Sequence, residues 1–292
     1  MTSTSAIRLT DHGLIRASGE DAASFLHNLL TNDITHLEEG QVRRAALCTA
    51  KGRMIASFLI WREGSDYLLQ LSADILPGIL KKLSMYILRS KVKLTDVSSE
   101  RVQIGLLGIA AGPDEPMRFA PCEDGVALRL DAGRSILVVP ADQAESRLAG
   151  LGTQAPLSEW HLAEIRAGIP RVVAATQEAF VPQMVNFEVA DVGGVSFQKG
   201  CYPGQEIVAR THYLGKVKRR MVRARLDSAV AAGTDTFTPE AGDQHCGAVV
   251  LSAPLPDGGM ECLLVSQVSE TVHVASPGGP LAHILPLPYR VD

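Results

Sequence analysis

Lys199-Gly200-Cys201-Tyr202-Pro203-Gly204-Gln205-Glu206-Ile207-Val208-Ala209-Arg210 is the stretch on which the rest of the chain turns. With Gly193 and Gly194 upstream, four glycines punctuate it, which permits tight turns and a close approach of ligand or backbone. Pro203 suits the first position of a helix starting near Gly204 and running through Ile207, Val208 and Ala209. That helix start lies close to Cys201, and Lys199 is two residues away; both features favour a thiolate. Cys201 is therefore a candidate nucleophile, redox thiol or metal ligand. The alternative is a small buried residue in a tight loop. So many polar and special-backbone residues around one thiol point to a site. His212 is the nearest histidine in sequence, and spacing alone does not set it against Cys201.

Downstream of Lys216, Arg220–Leu226, Cys246–Leu251, Cys262–Val268 and Thr271–Ala275 are short strand-like runs separated by Gly, Pro and Asp. Helical periodicity is scarce there, so a small closed or nearly closed β domain is expected. Upstream, the texture is mixed. Phe25, Leu26, Leu29 and Leu30 have helical spacing, while Ala45–Cys48, Met54–Trp61 and Tyr67–Leu71 read as strands. Ser72 or Asp74 is expected to cap a helix that carries Pro77 in its first turn and ends near Arg89. Val102–Gly108 is a strand, and Ala127–Leu130 with Ser135–Val139 flank Asp131-Ala132-Gly133 as a hairpin. A helix beginning at Ser158 is closed by Gly168 and Pro170. The expectation is an α+β fold divided into a first lobe over 1–100, a second over 101–212 carrying the motif, and a C-terminal β-barrel domain over 213–292.

Bulk properties narrow the function. The chain has 292 residues, 46% hydrophobic and 21% charged, and a net charge of −4, so no global attraction to nucleic acid or membrane is expected. The charged N-terminal stretch lacks a signal-peptide core, and no run approaches the roughly 20 apolar residues of a membrane span. Five dispersed cysteines without a CxxC pair fit free thiols in a reducing compartment, so a cytoplasmic location and no metal centre within one chain are expected.

The run KGCYPGQEIVARTHYLGKVKR, from Lys199 to Arg219, resembles the signature of the YgfZ group of folate-binding proteins. That group is related to the T-protein of the glycine cleavage system and to mitochondrial iron–sulfur assembly factors. Phe25–Asp33 (FLHNLLTND), Lys51-Gly52-Arg53, Ile165–Pro170 (IRAGIP), Val181–Asn186 (VPQMVN) and Leu285–Tyr289 (LPLPY) resemble family segments in the expected order. The resemblance implies a T-protein-like multi-domain ring with two α/β lobes and a C-terminal β barrel, around a channel for tetrahydrofolate or a derivative. It implies a role in assembly or repair of iron–sulfur enzymes, tRNA-modifying ones included, with iron–sulfur client or assembly proteins as partners. Cys201, tuned by Lys199, is then the active thiol, within a motif that includes Gly200, Tyr202, Gly204, Gln205, Glu206 and Arg210. Trp160 falls where the family places an aromatic residue beside the folate, and His12 stands where a second aromatic contact is expected. Gln183 and Asn186 are amide candidates for a pterin edge, or for local backbone. The alternative is a tetrahydrofolate-dependent aminomethyl or one-carbon transferase. Its acid would fall on Asp74, a position better suited to helix capping.

Between Lys199 and Arg225 stand eight basic residues and one acid, Glu206, a local charge of +7. Such a segment can attract a folate tail, a phosphate backbone or an acidic partner, or it can be the solvated side of a strand. Direct tRNA binding is disfavoured, because no series of stacking aromatics accompanies the charge in sequence.

Overall fold

The computed structural model describes residues 4–215 and 217–291. Lys216, one of the eight basic residues of the motif segment, lies outside them. The chain divides into two compact units, Met1–Ala45 with Ser57–Trp160, and Ala46–Ala56 with His161–Asp292.

The first unit is built from β1 (Ser5–Arg8), β2 (His12–Ser18), α1 (Ala22–Leu29), β3 (Val42–Cys48), β4 (Met54–Glu63), β5 (Asp66–Ser72), α2 (Leu76–Met85), β6 (Lys93–Asp96), β7 (Arg101–Leu107), β8 (Arg118–Cys122), β9 (Gly125–Arg129), β10 (Arg134–Pro140), α3 (Ala144–Gly150) and α4 (Leu157–Arg166). Residues 46–56, the loop-side ends of β3 and β4 and the turn between them, count with the second unit, as does α4 from His161 onward. One sheet has the order β3-β4-β5-β2-β6 and the other β1-β7-β10-β9-β8. Alternation of side chains along each strand sorts the apolar residues into two layers. Ile7, Leu128, Ile136 and Val138 of one sheet join Leu14, Leu59, Trp61 and Leu68 of the other in a shared core. On the opposite face Ala6, Ile104, Leu137 and Val139 pack against Ala144 and Leu148 of α3.

Several expected elements are present with shifted bounds. α2 carries Pro77 in its first turn, but its N-cap is Ile75 and no side chain caps it. Ser72 and Asp74 therefore do not perform the capping expected of them. The helix stops at Met85 and does not reach Arg89, where no core receives its apolar side: Leu88 is 88% exposed. β1 and β2 have no counterpart in the sequence reading, because the four residues of β1 are too short a run for a period-two signal.

The second unit continues through α5 (Gln205–Leu214), β11 (Arg219–Leu226), β12 (Asp235–Phe237), β13 (Gly247–Pro254), β14 (Met260–Gln267), β15 (His273–Val274) and β16 (His283–Leu285). These six strands form one sheet ordered β15-β12-β13-β14-β11-β16. The chain just before β16 returns to β15: the Val274 amide donates to Pro280 O at 3.0 Å and the Ala282 amide to Val272 O at 2.8 Å. The edge strands are thereby linked, which removes most of the exposed sheet edge. Ala224, Leu226, Val249, Cys262, Leu264, Val272, Val274 and Ala282 fill the interior.

Candidate functional site

The motif folds within the second unit around one backbone approach. Gly204 has φ +83° and is the N-cap of α5; a Cβ there would stand 2.3 Å from Thr49 O and 2.7 Å from Gly52 Cα. Only glycine permits this contact. Pro203 thus precedes the cap and does not occupy the first helical position expected of it, and the helix runs five residues beyond Ala209, to Leu214. The turn it meets is tightened by Thr49, whose Oγ1 accepts from the Lys51 and Arg53 amides at 3.2 Å each. The Arg53 guanidinium then donates to Ala179 O. A Cβ on Gly52 would lie 3.1 Å from Ile207 Cβ, so Lys51-Gly52-Arg53 and the motif helix fit as a pair.

Within the loop, the three central side chains take different environments. Cys201 is exposed. Lys199 and Tyr202 are buried, with Lys199 Nζ 4.7 Å from the centre of the Tyr202 ring. The lysine head thus engages the phenol ring in a cation–π contact. Burial pushes the Tyr202 hydroxyl above its ordinary pKa, and nearby Cys48 adds to the shift. Gly200 and Glu206 are exposed, as is Arg210, while Gln205 sits half-buried at the helix start, its amide donating to Tyr202 O at 3.2 Å.

Gln183 and Asn186 tie the elements of this unit together. Gln183 Nε2 donates to Val208 O of α5 at 2.7 Å, and Asn186 Nδ2 donates to Met221 O of β11 at 2.9 Å. Asn186 adopts the left-handed conformation with φ 56°, which asparagine tolerates well. Both amides therefore serve backbone carbonyls, yet Gln183 Oε1 and Asn186 Oδ1 are buried with no hydrogen-bond partner. Arg220 Nη1 donates to Gln183 O at 2.8 Å and pairs with Glu188.

A cavity of about 1010 Å³ opens beside these residues. Gln183, Glu188 and Arg220 line it together with Val189, Met221, Val222, His212, Leu287 and Arg290. The lining residues thus include apolar side chains, the exposed Arg290, and Gln183 and Glu188, whose Oε1 and Oε2 are buried and unpartnered. Cys201 does not line this cavity. The sulfur stands before the first turn of α5, whereas the cavity takes Thr211 and His212 from its last turn, about 9–10 Å of helix rise beyond Gln205.

Trp160 and His12 belong to the first unit. Trp160 is 1% exposed in the shared core, and a Cβ on Gly105 would lie 2.5 Å from its ring. Its indole N–H is buried without a hydrogen-bond partner. His12 is 7% exposed, with Nδ1 2.7 Å from Asp11 Oδ1. Both rings, expected beside a folate, are covered by protein in this conformation. Among the described residues, no group of three or more His, Cys, Asp or Glu side chains is placed to hold a metal ion, and no helix is long and apolar enough to cross a membrane.

Comparison with known proteins gives this geometry a lineage. The chain is 31% identical over 306 residues to proteins named tRNA-modifying protein YgfZ from two strains of Vibrio vulnificus, YJ016 and CMCP6, covering 98% of this chain and 93% of each relative. The chain belongs to the YgfZ family. Residues 3–113 also match the GCVT N-terminal domain family. Among solved structures, the glycine cleavage system aminomethyltransferase T from Bartonella henselae superposes with a TM-score of 0.67 at 16% identity, covering 96% of this chain and 84% of that one. The fold is therefore GcvT-like, with mixed helix and sheet. Family-like segments of this YgfZ chain meet in space as well as in order. Ile165–Pro170 is held by the closing Leu285–Tyr289, since Tyr289 Oη donates to Gly168 O at 2.6 Å. A Cβ on Gly168, which has φ +66°, would lie 2.7 Å from the Tyr289 ring.

The sequence reading did not find Glu188, Arg290 or the apolar wall. Their only signal was nearness to Val181–Asn186 and to the closing segment.

Proposed function

We propose that this protein binds tetrahydrofolate or a derivative in the second unit's cavity and acts as an accessory factor for iron–sulfur enzymes, tRNA-modifying ones among them, through Cys201. One observation carries the folate reading: a cavity of about 1010 Å³ lined by Gln183, whose Oε1 is buried and unpartnered. Small-molecule sites are typically about 300–1,000 Å³, mostly apolar, with a few fixed polar groups. An unpaired buried acceptor costs free energy that a ligand N–H recovers. The pterin ring offers such donors to Gln183 Oε1 and Glu188 Oε2. Val189, Met221, Val222 and Leu287 supply apolar walls for the aminobenzoyl ring, and Arg290 a cation for the glutamate tail. When bound, the folate would supply one-carbon or redox-active pterin chemistry.

The accessory role rests on the family and on the exposed sulfur. Cys201 is presented to solvent by a loop whose neighbours, Lys199 and Tyr202, are buried against each other. A thiol exposed on a loop can be approached by a client protein. Because the cavity and the sulfur sit at opposite ends of α5, the thiol is assigned to a partner and the cavity to the folate. The T-protein-like ring implied by the resemblance belongs to this same reading.

The test is complementation. In cells lacking the native copy, the Cys201→Ala variant is expected to fold and bind folate but fail to restore an iron–sulfur-dependent tRNA modification. Full restoration would remove the thiol from the function. Turnover of an aminomethyl donor by the purified protein with tetrahydrofolate would replace this reading with the one-carbon transferase.

A further inference from the structure

The charged segment has partners for some of its cations and not for others. Lys199 lies over Tyr202, Arg220 pairs with Glu188, Arg225 with Asp257 at 3.4 Å, and Arg223 approaches Glu261 at 4.0 Å. The side chains of Arg210, Lys218 and Arg219 have no ion pair or hydrogen bond among the described residues. Arg210 and Lys218 are exposed. On the helix that carries Arg210, and a few residues before Lys218 and Arg219 in the chain, the fold assembles what the sequence lacks, a group of aromatic rings. The Phe197 and His212 rings stack at 3.8 Å with an interplanar angle of 13°. Tyr213 meets His212 edge-on at 4.8 Å and Phe197 at 6.0 Å.

Tyr213 is 67% exposed although it is a large aromatic at the end of a helix. On α5 it follows Arg210 by three residues, so the two share a face. Leu214, 84% exposed, continues that surface. An open ring, braced by two others and flanked by unpaired cations, has the composition of a single-strand nucleic-acid surface, where bases stack on aromatics and cations follow the phosphates. A duplex fits less well, since its bases are already stacked and offer no face to Tyr213. The overall charge of −4 makes the cations more telling, because no general electropositivity explains them.

We infer that the exposed end of α5 binds single-stranded nucleic acid, with one unstacked base on Tyr213 and phosphates on Arg210, Lys218 and Arg219. This goes beyond the accessory role: His212 also lines the cavity, but Tyr213, Phe197 and the three cations are not used by the folate assignment.

The measurement is fluorescence anisotropy of a labelled oligouridylate, about 12 nucleotides long, within the range that such grooves occupy, titrated with the full chain. Three phosphate contacts predict a slope of about −2 in log K against log salt, at about 0.7 per contact. Tyr213→Ala is expected to weaken binding about tenfold, and Tyr213→Phe to retain it, which separates stacking from misfolding. Arg210→Ala and Lys218→Ala should each flatten the slope by about 0.7. A matching duplex should bind more weakly, and oligodeoxythymidylate of equal length tells ribose from deoxyribose preference. The inference is overturned by no binding below about 10⁻⁴ M at low salt, by an undiminished Tyr213→Ala variant, or by polyglutamate competing as well as the oligonucleotide.

Discussion

Cys201 differs from the other thiols of the chain in being exposed, and this gives a prediction for its reactivity. Burial pushes the Cys48 and Cys262 thiols up to about 12. Burial also works to raise Cys246, but hydrogen bonds from Ser266, the Gln267 backbone, Thr236 and Thr238 overcome it and lower the value. Cys246 is nevertheless fully enclosed, so its anion has no access to reagent. Iodoacetamide near pH 8 should therefore label Cys201 first and half-buried Cys122 second. Mass spectrometry should find Cys48, Cys246 and Cys262 unmodified until the protein unfolds. Trp160 supports a different prediction. Replacing a fully buried tryptophan by alanine leaves a cavity, so Trp160→Ala should cost about 3–5 kcal/mol in urea unfolding. An unchanged midpoint with lost folate binding would instead return Trp160 to the ligand. The sequence could not decide between these roles, because helical spacing does not say which neighbour a ring meets, and Gly105 is 55 residues away.

At the scale of elements, the junction of α5 with the Thr49–Arg53 turn depends on two glycines with positive φ. Gly204→Ala should cost more than the roughly 1–2 kcal/mol of the left-handed conformation alone, because its Cβ would meet Thr49 O at 2.3 Å. A loss below that would mean the turn moves aside. The loop around Asp33 supports a pH prediction. Burial works to raise its carboxyl, but hydrogen bonds from His36 and Thr35, with the His36 charge, prevail and hold it well below the usual carboxylate range. The folded protein thus binds that proton more weakly than the unfolded chain. The stability from Asp33 is present above the ordinary carboxylate pKa of about 4 and is lost as pH falls further. Asp33→Asn should melt lower than wild type at neutral pH, with a smaller decline between about pH 5 and 3. Elements marked by punctuation were legible in the sequence. Gly168 and Pro170 closed the Ser158 helix, and Asp131-Ala132-Gly133 made its hairpin, with Asp131 Oδ1 accepting from the Gly133 amide at 2.9 Å. Elements defined by pairing were not: β1 exists because β7 accepts it, and β16 because β11 does.

For the whole molecule, the family segments were legible as an ordered set, and the motif glycines as a point of close approach. The partner of that approach was not legible, since Thr49 and Gly204 are far apart in the chain. Nor was the aromatic group, because Phe197 is fifteen residues from His212. The central claim is that the second unit's cavity holds a reduced folate. Ligand binding to the folded state alone adds stability, about 2.7 kcal/mol at a hundredfold excess over Kd, so tetrahydrofolate should raise the melting temperature. Calorimetric titration with tetrahydrofolate, comparing wild type with Val189→Trp, tests the claim most directly. A saturable single-site isotherm for wild type, weakened at least tenfold when the tryptophan fills the cavity from its wall, is the predicted result. No heat of binding for wild type, or equal affinity in the filled variant, would contradict it.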